Sequence, residues 1–421
     1  MSDTEIERLI TAEHDRQASN LQMIPSENHA SKDVFSALGS ILTDKYAEGY
    51  PGQRYYGGCE IVDKVENLAR DRAKKLFGVD HVNVQPYSGS PANAEVYMAL
   101  LDPGDKIMGL ALSFGGHLTH GHKVSASGTF YESVQYQTSK DGFLDYQEIA
   151  KMALAEKPKM FVVGATAYPR IFDWEKLREI ADSVGAWMLA DISHISGLVV
   201  AGEHPSPVGI ADVVMTTTHK TLRGPRGAMI MCNGNPSTPI KKVERTKENL
   251  PTLIDRAVFP GMQGGPHNHQ TAAIAVALRE ADTPEFKTYA QQIVKNAKTL
   301  GTELSARGFE LITGGTDNHL LLIDVTNMNL SGKSAEDALS KIGITVNKNT
   351  VPFDPKGPFD PSGIRLGTPA ITSRGMVQEH MVQIADWMEQ AIKYPTDEKL
   401  LNTLSNEVRA LALQFKLPSD K

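Results

Sequence analysis

Two cysteines, Cys59 and Cys232, are all that the 421 residues contain. That is too few for a disulfide framework or a zinc cluster, and it fits a reducing compartment. No apolar run is long enough to span a bilayer. The opening stretch MSDTEIERLITAEHDRQASN is charged and lacks an apolar core before a cleavage site, so neither a signal peptide nor an anchor is expected, and a cytoplasmic location follows. Blocks of like charge are also missing. With a formal net charge of −7, the chain offers no electrostatic attraction to nucleic acid or to an anionic membrane. A small anionic ligand would have to be met by local basic groups. There is no internal repeat and no low-complexity tract, and the length calls for two or more domains with a large buried sheet.

What the chain does have is alternation. KIMGLAL, MFVVG, WMLAD and VVMT are short apolar runs of strand type, and DWEKLREIADSVG between the second and third reads as a helix with Asp173 as its cap. Alternating strands and helices imply an α/β fold with a mainly parallel sheet, whose ligands sit beyond the carboxyl ends of the strands. Ile61 to Phe77 repeats apolar residues at helical spacing, and Gly78 closes the helix. After HVNVQ, Ser90 is expected to cap a helix with Pro91 at its first position, and Gly89 lets backbone approach a ligand. Thr283 to Arg307 reads as a long helix near a domain boundary. Beyond it FELITG, HLLLIDV, ITVNK and GIRLG are strands of a smaller α/β domain, ending in a helix over about 398–415. Residues 1–60 are expected to form an amphipathic arm and an irregular loop, 61–282 the large domain and 283–421 the small one.

Lys220, in TTTHKTLRGPRGA, follows the strand next to the one that Asp191 ends. An isolated lysine is normally solvated. Held away from water, however, its amine can attack a carbonyl carbon and form a Schiff base. Pyridoxal phosphate chemistry needs such a lysine, an acid for the pyridine nitrogen, a phosphate cup, a planar group over the ring and a cation for the substrate carboxylate. The chain supplies a candidate for each in Lys220, Asp191, Ser90 with Gly89, His117 and Arg365. A helix N-terminus after Ser88, Gly89 and Ser90 suits a phosphate, and Arg365 can clamp a carboxylate bidentately. His117, His120 and His122 lack the cysteines or carboxylate that would complete a metal shell, so no metal is expected.

The motifs DKYAEGYPGQRYYGGCE, QPYSGSPAN, GGHLTHG, ADISHISGLV, TTTHKTLRGPRGA, FPGMQGGP, TGGTDNHL, VNKN and SGIRLGTPAIT run through nearly the whole length. On them the chain resembles the serine hydroxymethyltransferases, folate-linked enzymes of the fold type I (aspartate aminotransferase-like) pyridoxal-phosphate family. The resemblance implies transfer of the hydroxymethyl carbon of L-serine to tetrahydrofolate, giving glycine and 5,10-methylenetetrahydrofolate. Aldol cleavage of β-hydroxy amino acids without folate is the expected side activity. It also implies a homodimer with shared active sites, Tyr46, Glu48 and the Gly264-Gly265 loop reaching across to the neighbour.

By the same resemblance, Lys220 and Asp191 keep the roles above, His117 stacks on the ring and His194 lies beside the cofactor oxygen. Thr217 and His219 flank the lysine, while Ser90, Gly264 and Gly265 serve the phosphate. Ser26 and Arg365 take the substrate carboxylate, with Tyr46, Tyr56 and Arg226 supporting. Glu48 becomes the proton-transfer group near the serine hydroxyl, and Tyr55, Tyr56, Leu112, Gly116, Leu118 and Asn349 line the folate pocket with it. Tyr87, Phe114, Thr166 and a charged extension over 241–257 depart from the commonest pattern. Two other readings use the same residues. One is a folate-independent aldolase or α-methylserine relative. The other is a non-catalytic scaffold or RNA-binding relative that keeps the fold, against which Lys220, Asp191, Glu48 and Arg365 together and the acidic balance both count.

Overall fold

The computed structural model describes residues 2–234 and 244–421. Of the charged extension, residues 241–243 lie outside the described residues. The chain divides into two compact units, one made of Ala30–Thr166 with Ile171–Ala290 and the other of Met1–His29, Ala167–Arg170 and Gln291–Lys421.

The first unit is built on seven strands. They are β1 (His81–Asn83), β2 (Lys106–Leu110), β3 (Glu132–Tyr136), β4 (Met160–Val163), β5 (Trp187–Asp191), β6 (Val213–Thr217) and β7 (Ala228–Cys232). Their spatial order is β1-β7-β6-β5-β4-β2-β3. The five strands from β6 to β3 pair in parallel. β4, β6 and β7 are buried along their whole length, as continuous apolar runs in a sheet covered on both faces should be. β7 is the exception in direction, antiparallel to both β6 and β1. AMIMC was not among the expected strands. A tight return after the glycine-rich turn is enough to make it, since antiparallel neighbours need no crossover helix.

The helices of this unit follow their sequence signals closely. Helix α1 (Thr4–Ser19) belongs to the other unit. Within this one, α2 spans Glu60–Phe77 and stops at Gly78, whose φ of 71° is left-handed. Helix α3 covers Gly89–Leu100 with Ser88 at its N-cap. The helix therefore starts earlier than expected: Ser90 and Pro91 lie inside its first turn, where proline costs no hydrogen bond. Helix α4 (Trp174–Ser183) is capped by Asp173, which accepts from the Lys176 N–H. Helix α5 (Asn268–Ala281) packs on α2.

In the segment expected to be irregular, a seven-residue helix at Lys32–Leu38 precedes a hairpin of Gly49–Tyr50 with Gln53–Arg54. The Pro51-Gly52 corner, with Gly52 at φ 77°, matches the type II turn that Pro-Gly favours.

The long helix α6 (Pro284–Ala306) has Thr283 capping the Phe286 N–H, and Gly308 follows at φ 86°. In the second unit, β8 (Glu310–Leu311), β9 (Leu320–Asp324), β10 (Asn347–Asn349) and β11 (Gly363–Gly367) form an antiparallel sheet in the order β8-β9-β11-β10. Helices α7 (Gln378–Lys393) and α8 (Glu398–Gln414) contribute Ile384, Met388, Leu404 and Val408 to its core. Leu21 and Gln22 pair in parallel with Ile344 and Thr345, so the N-terminal segment is part of this core.

Candidate active site

Asp191 ends β5 and faces Met215 of β6 in register. Its carboxylate is held on both oxygens. Oδ1 accepts from the Ser193 N–H at 3.1 Å and the Ser193 hydroxyl at 2.5 Å, while Oδ2 lies 3.0 Å from His120 Nε2 and 3.1 Å from Asn93 Nδ2. Burial alone would favour the neutral acid, but the hydrogen bond from His120, with His117 and Ser193, holds this carboxyl far below the usual range. An ionised, buried carboxylate at a strand end is what a protonated pyridine nitrogen requires. His120 Nδ1 is buried with no hydrogen-bond partner among the described residues, and Nε2 faces the Asp191 carboxylate, an arrangement that favours the tautomer with the proton on Nε2.

Lys220 sits three residues past β6, in the turn rather than on the strand, and its Nζ donates to Thr217 Oγ1 at 2.9 Å. That threonine also fixes the approach of α3. A Cβ on Gly89 would stand 2.7 Å from Thr217 Cγ2, so only glycine lets the helix N-terminus come so near the lysine's strand. The first-turn N–H groups of α3, with Ser88 and Ser90, are a cradle of the right chemistry for a phosphate. His219 is pushed down to about 3 by burial and by the charges of Lys220 and Arg226, leaving it neutral. His194 is buried, and its carbonyl accepts from the Thr221 hydroxyl at 3.0 Å. Arg226 is exposed. The described residues thus supply an amine, a carboxylate and an anion cradle around one strand edge, which fits pyridoxal phosphate.

His117 lies on the loop after β2, its Nδ1 reached by the Thr119 hydroxyl at 2.7 Å, and Thr119 Oγ1 in turn accepts from Asn93 Nδ2 at 2.8 Å. The same loop carries Leu112, Gly116 and Leu118. A Cβ on Gly116 would fall 1.9 Å from the Leu110 carbonyl oxygen, so the turn is open only to glycine. Thr166 braces it from below, its N–H and hydroxyl donating to the carbonyls of Gly115 and Gly116 at 2.7 and 3.0 Å. Phe114 is half-buried in the short 3₁₀ turn Leu112–Phe114.

A second cluster gathers the residues expected to reach a neighbouring subunit. Tyr46 and Tyr56 meet edge to face at 5.2 Å. The Glu48 carboxylate, by charge and by a hydrogen bond, raises the Tyr56 phenol. A Cβ on Gly264 would lie 3.2 Å from Glu48 Oε1, and one on Gly265 3.3 Å from the Tyr46 ring. Tyr55 packs against Phe259 at 5.6 Å. Tyr87 is part of this framework: its ring stacks on His267 at 4.0 Å and its hydroxyl donates to the Gly265 carbonyl at 2.8 Å.

The remaining candidates belong to the other unit. The Gly367 N–H donates to Met23 O at 2.7 Å, which lays the Ser26 turn along β11. Arg365, on that strand, donates from Nε to Asn347 Oδ1 at 3.1 Å, and burial pulls its guanidinium down to about 10, still protonated at neutral pH. Asn349 pairs with Gly363 on the same sheet.

Sequence reasoning missed Asn93, Thr119 and Ser193 and set His120 aside. Helical spacing was the available signal for one of them, since Asn93 follows Ser90 by one turn of α3 and so shares its face. No group of His, Cys, Asp and Glu among the described residues is arranged to hold a metal ion, and no described helix is long and apolar enough to cross a membrane.

Comparison with known proteins adds a separate line. The family model for serine hydroxymethyltransferase matches residues 1–388. A serine hydroxymethyltransferase from Acidothermus cellulolyticus is 54% identical, across 99% of this chain and 96% of its own. Another from Desulfotalea psychrophila is 55% identical over 99% and 95%, and one from Sorangium cellulosum 54% over the same shares.

Proposed function

The chain belongs to the serine hydroxymethyltransferase family, and on that premise we propose how its residues share the reaction. The activity is the pyridoxal-phosphate-dependent interconversion of serine and glycine, with tetrahydrofolate as co-substrate for the carbon. When bound, the cofactor supplies a protonated pyridine ring that draws electrons from the substrate's α-carbon, so the bond to the hydroxymethyl carbon can break.

Lys220 would hold the cofactor through its aldehyde carbon, and Asp191 would keep the ring nitrogen protonated. His117 would stack on the ring, with His194, Thr217 and His219 lining the site. Gly89, Ser90 and the start of α3 hold the phosphate, helped by Gly264 and Gly265 from a second copy of the chain. Arg365 and Ser26 bind the amino-acid carboxylate, with Arg226 in support. Glu48 moves a proton at the serine hydroxyl. Tyr46, Tyr55, Tyr56, Leu112, Gly116, Leu118 and Asn349 shape the pocket for serine and folate.

The homodimer is part of this reading. Ile41 is 82% exposed, Tyr55 75% and Ile61 61%, all close in sequence to Glu48, and large apolar side chains so exposed are ones a partner would cover. A cytoplasmic site of action fits the reduced cysteines and the lack of charge blocks. The observation that carries the reading is Asp191, buried and hydrogen-bonded on both carboxylate oxygens, on the strand beside the one that Lys220 follows. Purified protein given pyridoxal phosphate, serine and tetrahydrofolate should form glycine and methylenetetrahydrofolate. Equal turnover on serine, threonine and α-methylserine without folate would instead favour an aldolase.

A further inference from the structure

Arg54 closes the hairpin that begins at Gly49, yet its side chain is only 4% exposed. The guanidinium spends four of its five N–H groups in fixed directions. Nη1 donates to Ala47 O at 2.8 Å and to Gly49 O at 2.7 Å, the two carbonyls that flank Glu48. Nε donates to Asp63 Oδ1 at 2.8 Å and Nη2 to Glu66 Oε2 at 2.7 Å, and both carboxylates stand on α2. The carbonyl of Glu48 itself accepts from the Tyr55 N–H at 3.0 Å. Three consecutive carbonyls, those of residues 47, 48 and 49, are thus tied by two adjacent residues, Arg54 and Tyr55.

The anchor is rigid on its far side as well. Asp63 Oδ2 accepts from the Gly52 N–H at 2.9 Å, while Gln85 Nε2 bridges Glu66 Oε1 and Gly49 O, both at 3.0 Å. Glu48, by contrast, projects from a segment outside any long helix or strand, where its own backbone preferences would leave it loose. A proton-transfer group must stand within hydrogen-bond reach of its proton, and a displacement of about 1 Å costs on the order of 100-fold in rate.

We propose that Arg54 is a positioning residue for Glu48, locking the backbone on both sides of that carboxylate to helix α2. The inference rests on the reading of Glu48 as the proton-transfer group. Lysine keeps the charge but has three donors on a flexible stem and cannot reproduce the fork.

The test is a double-mutant cycle on holoenzyme with Arg54→Lys, Glu48→Gln and the pair. Arg54→Lys should keep the visible absorbance band of bound cofactor, lower the folate-dependent kcat by about 10- to 100-fold and leave the KM for serine within about 3-fold. In the Glu48→Gln background the same change should cost less than about 3-fold, because a misplaced amide has no proton to transfer. Losses that multiply overturn the proposal. A Glu48→Gln enzyme with parental turnover overturns the reading of Glu48 and the proposal with it, whereas an impaired Glu48→Gln beside a normal Arg54→Lys overturns the clamp alone. If Arg54→Lys does not fold, Asp63→Asn, which weakens only the anchor, should show the same fall in kcat and the same silence in the Glu48→Gln background.

Discussion

Asn93 joins the two halves of the cofactor cradle: its Nδ2 lies 3.1 Å from Asp191 Oδ2 and 2.8 Å from Thr119 Oγ1. One amide on the second turn of α3 therefore touches Asp191, proposed to face the ring nitrogen, and the loop of His117, proposed to stack on the ring. Removing it leaves a buried charge short of a donor, which costs about 1.5–3 kcal/mol. Asn93→Ala should weaken pyridoxal phosphate binding roughly 10- to 100-fold. Titration of the apoenzyme, followed by visible absorbance, measures this, and an unchanged affinity would refute it.

Tyr87 should act on the same cofactor from the other end. Tyr87→Phe keeps the stack on His267 but deprives the Gly265 carbonyl of its donor at 2.8 Å, a loss of about 1 kcal/mol. If Gly264 and Gly265 serve the phosphate, cofactor affinity should fall about 5-fold. Inorganic phosphate should then compete less well for the apoenzyme, an effect absent from a purely structural role.

Gly116→Ala must move the loop, because its Cβ has only 1.9 Å to the Leu110 carbonyl oxygen. Overpacking of this kind costs about 1–3 kcal/mol. The KM for tetrahydrofolate should rise about 10-fold or more, since Leu112 and Leu118 shift with the loop. Steady-state kinetics at saturating serine check it, and an unaltered KM would remove this loop from the folate pocket.

Glu95 makes stability depend on pH. Neither of its buried carboxyl oxygens has a hydrogen-bond partner among the described residues, and burial pushes the group up to about 8. Between about 4.5 and about 8 the folded protein keeps a proton that the unfolded chain has released. Folded protein therefore binds more protons, and stability falls as pH rises through that window, with the full penalty in place above it. Glu95→Gln should flatten the slope and exceed the parent at pH 8.5 by on the order of 5 kcal/mol, while matching it near pH 4.5. Urea midpoints at the two pH values decide, and a parent whose midpoint does not move with pH refutes it.

Much of the fold was legible because its signals are local. Apolar runs marked the central strands, Asp173 and Gly78 marked helix ends, and the strand-end rule put Asp191 at the end of one strand, with Lys220 in the turn just past the next. The helix starts two residues before the expected position, at Gly89 rather than Pro91, since Ser88, Ser90 and Pro91 are all acceptable start residues and only the backbone chooses among them. Strand β7 went unread because five apolar residues beside a glycine turn carry no directional signal. His120, Ser193 and Arg54 were invisible as a class. His120 and Arg54 act through partners brought near by folding, His120 on Asp191 across 71 positions, and no sequence period encodes such a meeting, whereas Ser193 bonds Asp191 only two positions away.

Gly89 has one more implication. Because nothing but a hydrogen separates the start of α3 from Thr217, the spacing between the anion cradle and the lysine's strand is a contact of backbone on methyl group, with no adjustable side chain in between. On the proposed reading it would act as a fixed gauge for the length of the cofactor. Loops carrying Glu48 or Phe114 could then vary, and with them the choice of substrate, without altering that spacing.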